Sequence, residues 1–318
     1  MAVIGPYGLA LEVPELGPGI DFYTRAGLEV EHDGNHARFR CRGRAEVCLT
    51  LIGGAPRKRL HHVALRADPA QLDAARKAVP THGGAIIAAP AGFTSSALWL
   101  RDPHGTRVCL VPAAPEAPLE PVPPFQINEP GRVVRQDRAG IPQKVAQQPI
   151  RPLRLGHVLL YTPNVTRSIA FFTHALGMRL TDHSADRVAF MCTPKNSDHH
   201  VVAFAHSGAI GFHHASFQVA GPDEVGRGGR ALADGSKRGD WGFGRHTIGA
   251  NFFHYIQDPW GSWFEYFADI DFISDYEQWR PTDYASEDSL YNWGPAVPND
   301  FVHNYEADDA ANAAAKGF

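Results

Sequence analysis

Cysteine is scarce: Cys41, Cys48, Cys109 and Cys192 are the only four in 318 residues, and no two stand in C-x-x-C spacing. That argues against a disulfide framework and fits a reducing compartment; the four thiols read as small buried hydrophobes. Excess positive charge is missing too, with 30 Lys and Arg against 34 Asp and Glu and a net charge of −4. Such a chain offers no basic field to nucleic acid or to an anionic membrane. The opening MAVIGPYGLALEVPEL lacks the basic start and apolar centre of a signal peptide. The uncharged run 84–100 contains Pro90 and glycines and makes a poor membrane helix. A cytoplasmic protein with neither nucleic-acid nor membrane partners is expected.

What is present is histidine, 17 of them, in a chain whose 44% hydrophobic content and 18 Phe suit well-buried cores. The chain also repeats itself. GLALEVPELGPGIDFYTRAGLEV, from Gly8, lies over HVLLYTPNVTRSIAFFTHALGMRL, from His157, with Pro14 on Pro163 and Phe22 on Phe171. LHHVALRADP matches FHHASFQVAGP, and LRDPHGTRVCLV matches IQDPWGSWFEYF, which puts Asp102 on Asp258 and Gly105 on Gly261. Four landmarks in the same order indicate duplicated domains, about residues 5–113 and 153–270. Within each half the pattern is strand, helix and several short strands, twice over: HVLLYT reads as a strand, and NVTRSIAFFTHALG as a helix with a polar cap and a closing glycine. The proline-rich 114–152 reads as a linker, and 271–318 as an irregular tail wrapping the surface.

Three residues stand at strand positions of the second repeat: His157, His214 and Glu265. They are 57 and 51 residues apart, so only the repeat architecture can join them. Two imidazoles and one carboxylate match the facial triad that holds iron(II) and leaves coordination positions open. The matching residues of the first half are Gly8, His62 and Cys109. Gly8 has no side chain to ligate, so the first half cannot build the same set and His62 reads as a relic. His200, His246 and Tyr255 lie nearby in the pattern as candidate acids, bases or hydrogen-bond donors. The plain alternatives are hydrogen-bonded structural histidines, an aromatic core tyrosine and a salt-bridged Glu265. His199 and His213 are expected to point away from the site across the pleat.

On these residues the second half resembles the catalytic domain of type I extradiol ring-cleavage dioxygenases, the catechol 2,3-dioxygenase group of the vicinal oxygen chelate superfamily. The likeness extends to the duplication and the inactive first domain, over nearly all of residues 5–270. It implies an α+β fold of two tandem domains, each of two βαβββ modules, the second catalytic. It implies metal ligands at His157, His214 and Glu265, the metal falling on the second histidine of HH-x-x-F-x-V. It also implies an acid–base histidine at His200, from H-x-x-A-F, with His246 and Tyr255 beside it. The expected chemistry is extradiol cleavage of catechol or a small alkyl- or halo-substituted catechol by Fe(II) and O2, giving a 2-hydroxymuconic semialdehyde. Mn(II) accepts the same ligands, and a homo-oligomer is expected.

Leu159, Phe190, Met191 and Phe253 would suit an aromatic ring, and Arg245 is the one cation flanking the ligands. Three other readings share the fold: a glyoxalase- or epimerase-type isomerase, a metal-free sequestering protein, and a 4-hydroxyphenylpyruvate-dioxygenase-type enzyme. Gly8 and Cys109 speak against the first, whose ligands usually span two domains. The triad speaks against the second. The His200, His246 and Tyr255 set speaks against the third.

Overall fold

Each repeat opens on an apolar strand because both its faces are covered, which leaves little room for polar alternation. The computed structural model describes residues 2–119, 127–137, 140, 148–236, 238–308, 310 and 312. The first module runs β1 (Val3–Glu12), α1 (Leu16–Arg25), β2 (Glu29–Asp33), β3 (His36–Arg40) and β4 (Leu49–Ile52). The second runs β5 (Arg59–Ala67), α2 (Leu72–Thr81), β6 (Ala85–Ile86), β7 (Leu98–Arg101) and β8 (Arg107–Pro112). The third is β9 (Arg154–Thr162), α3 (Val165–His174), β10 (Arg179–Ser184), β11 (Val188–Cys192), an added β12 (Lys195–Asp198) and β13 (Val202–His206). The fourth is β14 (Gly211–Gln218), α4 (Pro222–Asp234), β15 (Asp240–His246), β16 (Phe252–Gln257) and β17 (Trp263–Ala268). Two short strands follow, β18 (Phe272–Asp275) and β19 (Tyr291–Trp293).

The sheet orders are β2-β3-β4-β1-β5-β8-β7-β6 and β10-β11-β13-β9-β14-β17-β16-β15-β19. Matched by repeat, they are the same order with β19 added at one edge. The central pairings also coincide: β1 and β9 run antiparallel to β5 and β14, which run parallel to β8 and β17. Local signals account for the elements. The Asn164 side chain accepts the Arg167 N–H at 2.8 Å and caps α3. The repeated D-P-x-G is an Asp-closed turn: Asp102 Oδ1 accepts from His104 and Thr106 N–H, and Asp258 Oδ1 from Trp260 and Ser262 N–H.

One apolar core runs through both halves, from Leu11 and Phe39 to Phe172 and Phe264. Tyr23 donates to Asp258 at 3.1 Å and Tyr266 to the Ala26 carbonyl at 2.8 Å, stitching the halves together. In the linker, a single bridge joins Glu129 and Arg132; residues 120–126, 138–139 and 141–147 lie outside the described residues. No helix among the described residues is long and apolar enough to cross a membrane.

The tail corrects the expectation of an irregular surface wrap. β18 pairs with β12 and β19 extends the second sheet from β15. Phe301 is buried, and Glu306 forms a buried ion pair with Lys58 at 2.6 Å. Glu306 also accepts the N–H groups of Leu60 at 2.8 Å and Phe212 at 3.1 Å, so one carboxylate ties the tail to both halves. The partners that tie these residues to the body of the fold are distant in sequence, and for that reason no local motif announced them. Glu306→Ala strands the Lys58 charge and should cost about 3–5 kcal/mol of stability, read as a lower urea midpoint. Adding Lys58→Met should recover much of that loss.

Candidate metal centre

Strand register builds the centre. Across four neighbouring strands, His157 on β9 stands opposite Ser216 on β14, Ser216 opposite Glu265 on β17, and Glu265 opposite Tyr255 on β16. His214 lies two residues before Ser216 and shares its face. Residues far apart in sequence thus become one row, with the small Ser216 between the first two donors. His157 Nε2 lies 3.1 Å from Glu265 Oε2, and His214 Nε2 lies 3.7 Å from it. Ser216 Oγ donates to the same carboxylate oxygen, and Asn251 donates to Oε1 at 3.1 Å. Among the described residues, His157, His214 and Glu265 are the one group of three or more His, Cys, Asp or Glu whose donor atoms lie within 4.8 Å of one another.

These residues fit a divalent cation. Burial alone would raise the Glu265 carboxyl, but the hydrogen bond and charge of His157, with His246 and Ser216, outweigh it and hold the group below its usual range. Burial, then the neighbouring rings, holds His214 well below the usual imidazole value, so its ring is neutral. His214 Nε2 is buried and has no hydrogen-bond partner, although a carboxylate lies close by. A bare imidazole nitrogen, a second imidazole and an ionised carboxylate converging in a buried site are the donor set of a metal.

Adjacent histidines fix the tautomers. His213 Nε2 lies 2.7 Å from the Phe301 carbonyl, which can only accept, so Nε2 carries the proton. In a neutral ring its Nδ1 then accepts, and His214 Nδ1–H donates across 2.6 Å. That leaves His214 Nε2 bare, as ligation requires. His213 therefore does not point away as expected. A β-bulge between Phe212 and His214 makes it the extra residue of β14 and breaks the alternation. The first half carries the same bulge, with His61 and His62 2.8 Å apart through their Nδ1 atoms. His199 is likewise turned toward its neighbour, 3.0 Å from His200 through Nδ1, in the bend between β12 and β13 where strand alternation does not apply.

His200, His246 and Tyr255 all line the same cavity as His157 and His214. The His200 ring centroid is 4.1 Å from that of His157. Burial, then the neighbouring His157, keeps His200 well below its usual value and therefore neutral. His246 Nδ1–H donates to the Leu290 carbonyl at 2.6 Å, so its Nε2 accepts from the Tyr255 hydroxyl at 2.9 Å. Burial and the charge of Glu265 raise the Tyr255 phenol well above its usual value, so it stays a donor.

Leu159 and Phe190 line the cavity as expected; Met191 and Phe253 do not. Alternation on β11 sends Met191 into the main core. Phe253 stacks behind His246 at 4.1 Å. The sequence reading missed Ile248, Asn251, Ser289, Leu290 and Phe301, the last three from the tail. None sits in a repeat landmark, so no signal marked them. Arg245 faces elsewhere, paired with Asp269 at 2.9 Å, and no Lys or Arg among the described residues lines the cavity.

The equivalent cleft of the first half is filled. A Cβ at Gly8 would meet the Val47 carbonyl oxygen at 2.6 Å, so a histidine does not fit there. Trp99 and Phe93 pack against His62, with ring centroids at 4.7 and 4.9 Å. The Cys109 thiol is pushed up to about 12 by burial and stays a protonated apolar group.

Residues 154–266 match the Glyoxalase/Bleomycin resistance protein/Dioxygenase superfamily. The chain is 37% identical over 298 residues to metapyrocatechase 2 of Cupriavidus necator, covering 94% of this chain and 91% of that one. Among solved structures, the Mn(II)-bound glyoxalase of Novosphingobium aromaticivorans superposes with a TM-score of 0.74 at 23% identity, covering 99% and 98% of the two chains. Homoprotocatechuate 2,3-dioxygenase of Arthrobacter globiformis gives 0.74 at 21% identity, covering 95% and 91%. At such identities the structures establish the fold alone, and they agree on it across a glyoxalase and a dioxygenase. The curated relative decides between the two: with its identity over nearly the full length, this chain belongs to the extradiol ring-cleaving dioxygenases of that superfamily.

Proposed function

We propose that the enzyme binds Fe(II) at His157, His214 and Glu265 and uses O2 to cleave catechol, or a catechol with a small alkyl or halogen substituent, beside its hydroxyl pair. The product is a 2-hydroxymuconic semialdehyde, with both oxygen atoms of O2 incorporated. The observation that carries this reading is the row His157–Ser216–Glu265–Tyr255, which opens onto a cavity shared with His200 and His246. Mn(II) suits the same donors. A bound metal supplies a positive centre at which vicinal catechol oxygens and O2 are held together and electrons pass between them.

The chain's own residues do the rest. Glu265 supplies the single negative charge beside the two imidazoles, so a divalent ion held there would remain cationic and would attract a catecholate. His200 takes the proton of the second catechol hydroxyl and returns one as the O–O bond breaks, a role that calls for a neutral imidazole. Tyr255, with its hydroxyl tied to His246, orients the ring oxygens by hydrogen bonding. Leu159, Phe190, Ile248 and Phe301 exclude water around the ring.

The test is oxygen uptake and yellow product from iron-loaded enzyme and catechol in air. Metal-loaded protein that consumes no O2 with any catechol, yet isomerises a thiohemiacetal, would overturn the reading in favour of a glyoxalase. A substrate panel checks the cavity wall: 3- and 4-methylcatechol should be turned over, and protocatechuate should be worse by about tenfold or more in kcat/KM. A carboxylate would enter that wall with no cation to pair it. The reverse order would point to Arg245 swinging inward.

A further inference from the structure

The proposed function leaves one buried cluster unused: Asp182 on β10 and His199 before β13, joined to His200. Asp182 Oδ2 lies 2.7 Å from His199 Nε2, and His199 Nδ1 lies 3.0 Å from His200 Nδ1. All three side chains are buried. Asp182 is itself held, its other oxygen accepting the Thr282 N–H at 2.7 Å from the tail. The His199 ring is fixed by Trp279, with centroids 5.4 Å apart, and its own carbonyl accepts the Thr181 hydroxyl at 2.8 Å.

We propose that Asp182 and His199 are positioning residues that fix His200 as its Nδ1–H tautomer, so that the ring presents a bare Nε2 to the cavity. The chain of donors runs one way. A carboxylate only accepts, so His199 carries its proton on Nε2. With a single proton on that ring, its Nδ1 has only a lone pair, and His200 donates to it from Nδ1 across the 3.0 Å contact. The far edge of the His200 ring, on the cavity side, is left as an acceptor. Without the relay, neutral imidazole is free to carry its proton on either nitrogen, and half of the matter of being a base is which nitrogen is bare. The pair His213–His214 repeats the device with a carbonyl in place of the carboxylate, which gives the arrangement an internal precedent.

The inference rests on the reading of His200 as proton acceptor, but its first test does not. ¹⁵N NMR of the full chain without added metal, with His200 assigned against His200→Gln, reads the tautomer directly: a bare ring nitrogen resonates far downfield of an N–H. His200 should show a protonated Nδ1 and a bare Nε2. A protonated Nε2, which an imidazolium at His199 would impose, overturns the proposal whatever the enzyme's activity. His199→Leu should then mix the tautomers and lower kcat by about 10–100-fold, the usual loss on removing such a supporting partner, with little change in KM or metal content. His199→Gln, whose amide oxygen can accept from His200 and whose NH2 can reach Asp182, should restore most of kcat. Equal losses in the two folded, metal-loaded variants would mean that His199 only fills space, and would also overturn it. The wild-type spectrum stands as a test even if His199→Leu does not fold. By contrast, a His200→Ala enzyme with intact turnover would sink the acid–base reading while leaving the tautomer measurement untouched.

Discussion

Glu265→Ala protein should be isolated with essentially no metal and no ring-cleaving activity, where the wild type should carry one metal per chain. The substitution removes the only charged donor. It also removes the acceptor shared by His157, Ser216 and Asn251, so the remaining imidazoles lose the group that orients them. Two neutral nitrogens alone hold a divalent ion weakly, and removal even of an outer partner typically costs 10–100-fold in affinity. His157→Ala should behave the same way. Cys109→Ala, at the matching place in the first half, should leave the metal content unchanged. Metal analysis after dialysis decides it: stoichiometric metal surviving in the Glu265→Ala protein would place the site elsewhere.

His200→Ala should separate binding from chemistry. In the proposed mechanism His200 faces substrate and oxygen without ligating, so the variant should keep its metal and still bind catechol anaerobically. Turnover should fall by roughly 10²–10⁴, the usual contribution of a positioned acid–base group. The loss should shrink with nitrocatechol or halocatechol, whose second hydroxyl parts with its proton more easily. Loss of metal together with activity, or undiminished turnover of plain catechol, would show that the role has been given to the wrong side chain.

The repeat made much of this legible. Motifs such as HH-x-x-F and D-P-x-G recur because each closes a local structure, a bulge or an Asp-capped turn, that both halves need. Spacing between such landmarks carries the proposed ligands His157, His214 and Glu265 with it. His213 departs from expectation for a physical reason: strand alternation predicts that neighbours part, and a bulge cancels the alternation there, whereas His199 does stay out of the cavity, reaching His200 from a bend. Ser216 was passed over because its importance lies in being small and standing between two donors, which only register reveals. The tail residues Ser289, Leu290 and Phe301 belong to no periodic pattern, and their place at the cavity is a matter of long-range packing.

The tail touches the histidines through main-chain atoms: the Phe301 carbonyl on His213, the Leu290 carbonyl on His246, and, through Asp182, the Thr282 N–H on His199. Every residue type supplies a carbonyl, and every one but proline an N–H. The side chains of Ser289, Leu290 and Phe301 meanwhile form part of the cavity wall. The same segment thus handles protons with its backbone and shape with its side chains, and the two tasks mutate independently. Leu290 can become smaller or larger and admit a different ring substituent while the carbonyl behind His246 stays where it is. A chain built this way can change diet without relearning its chemistry, and residues 289–301 are where randomised libraries in search of new substrates should begin.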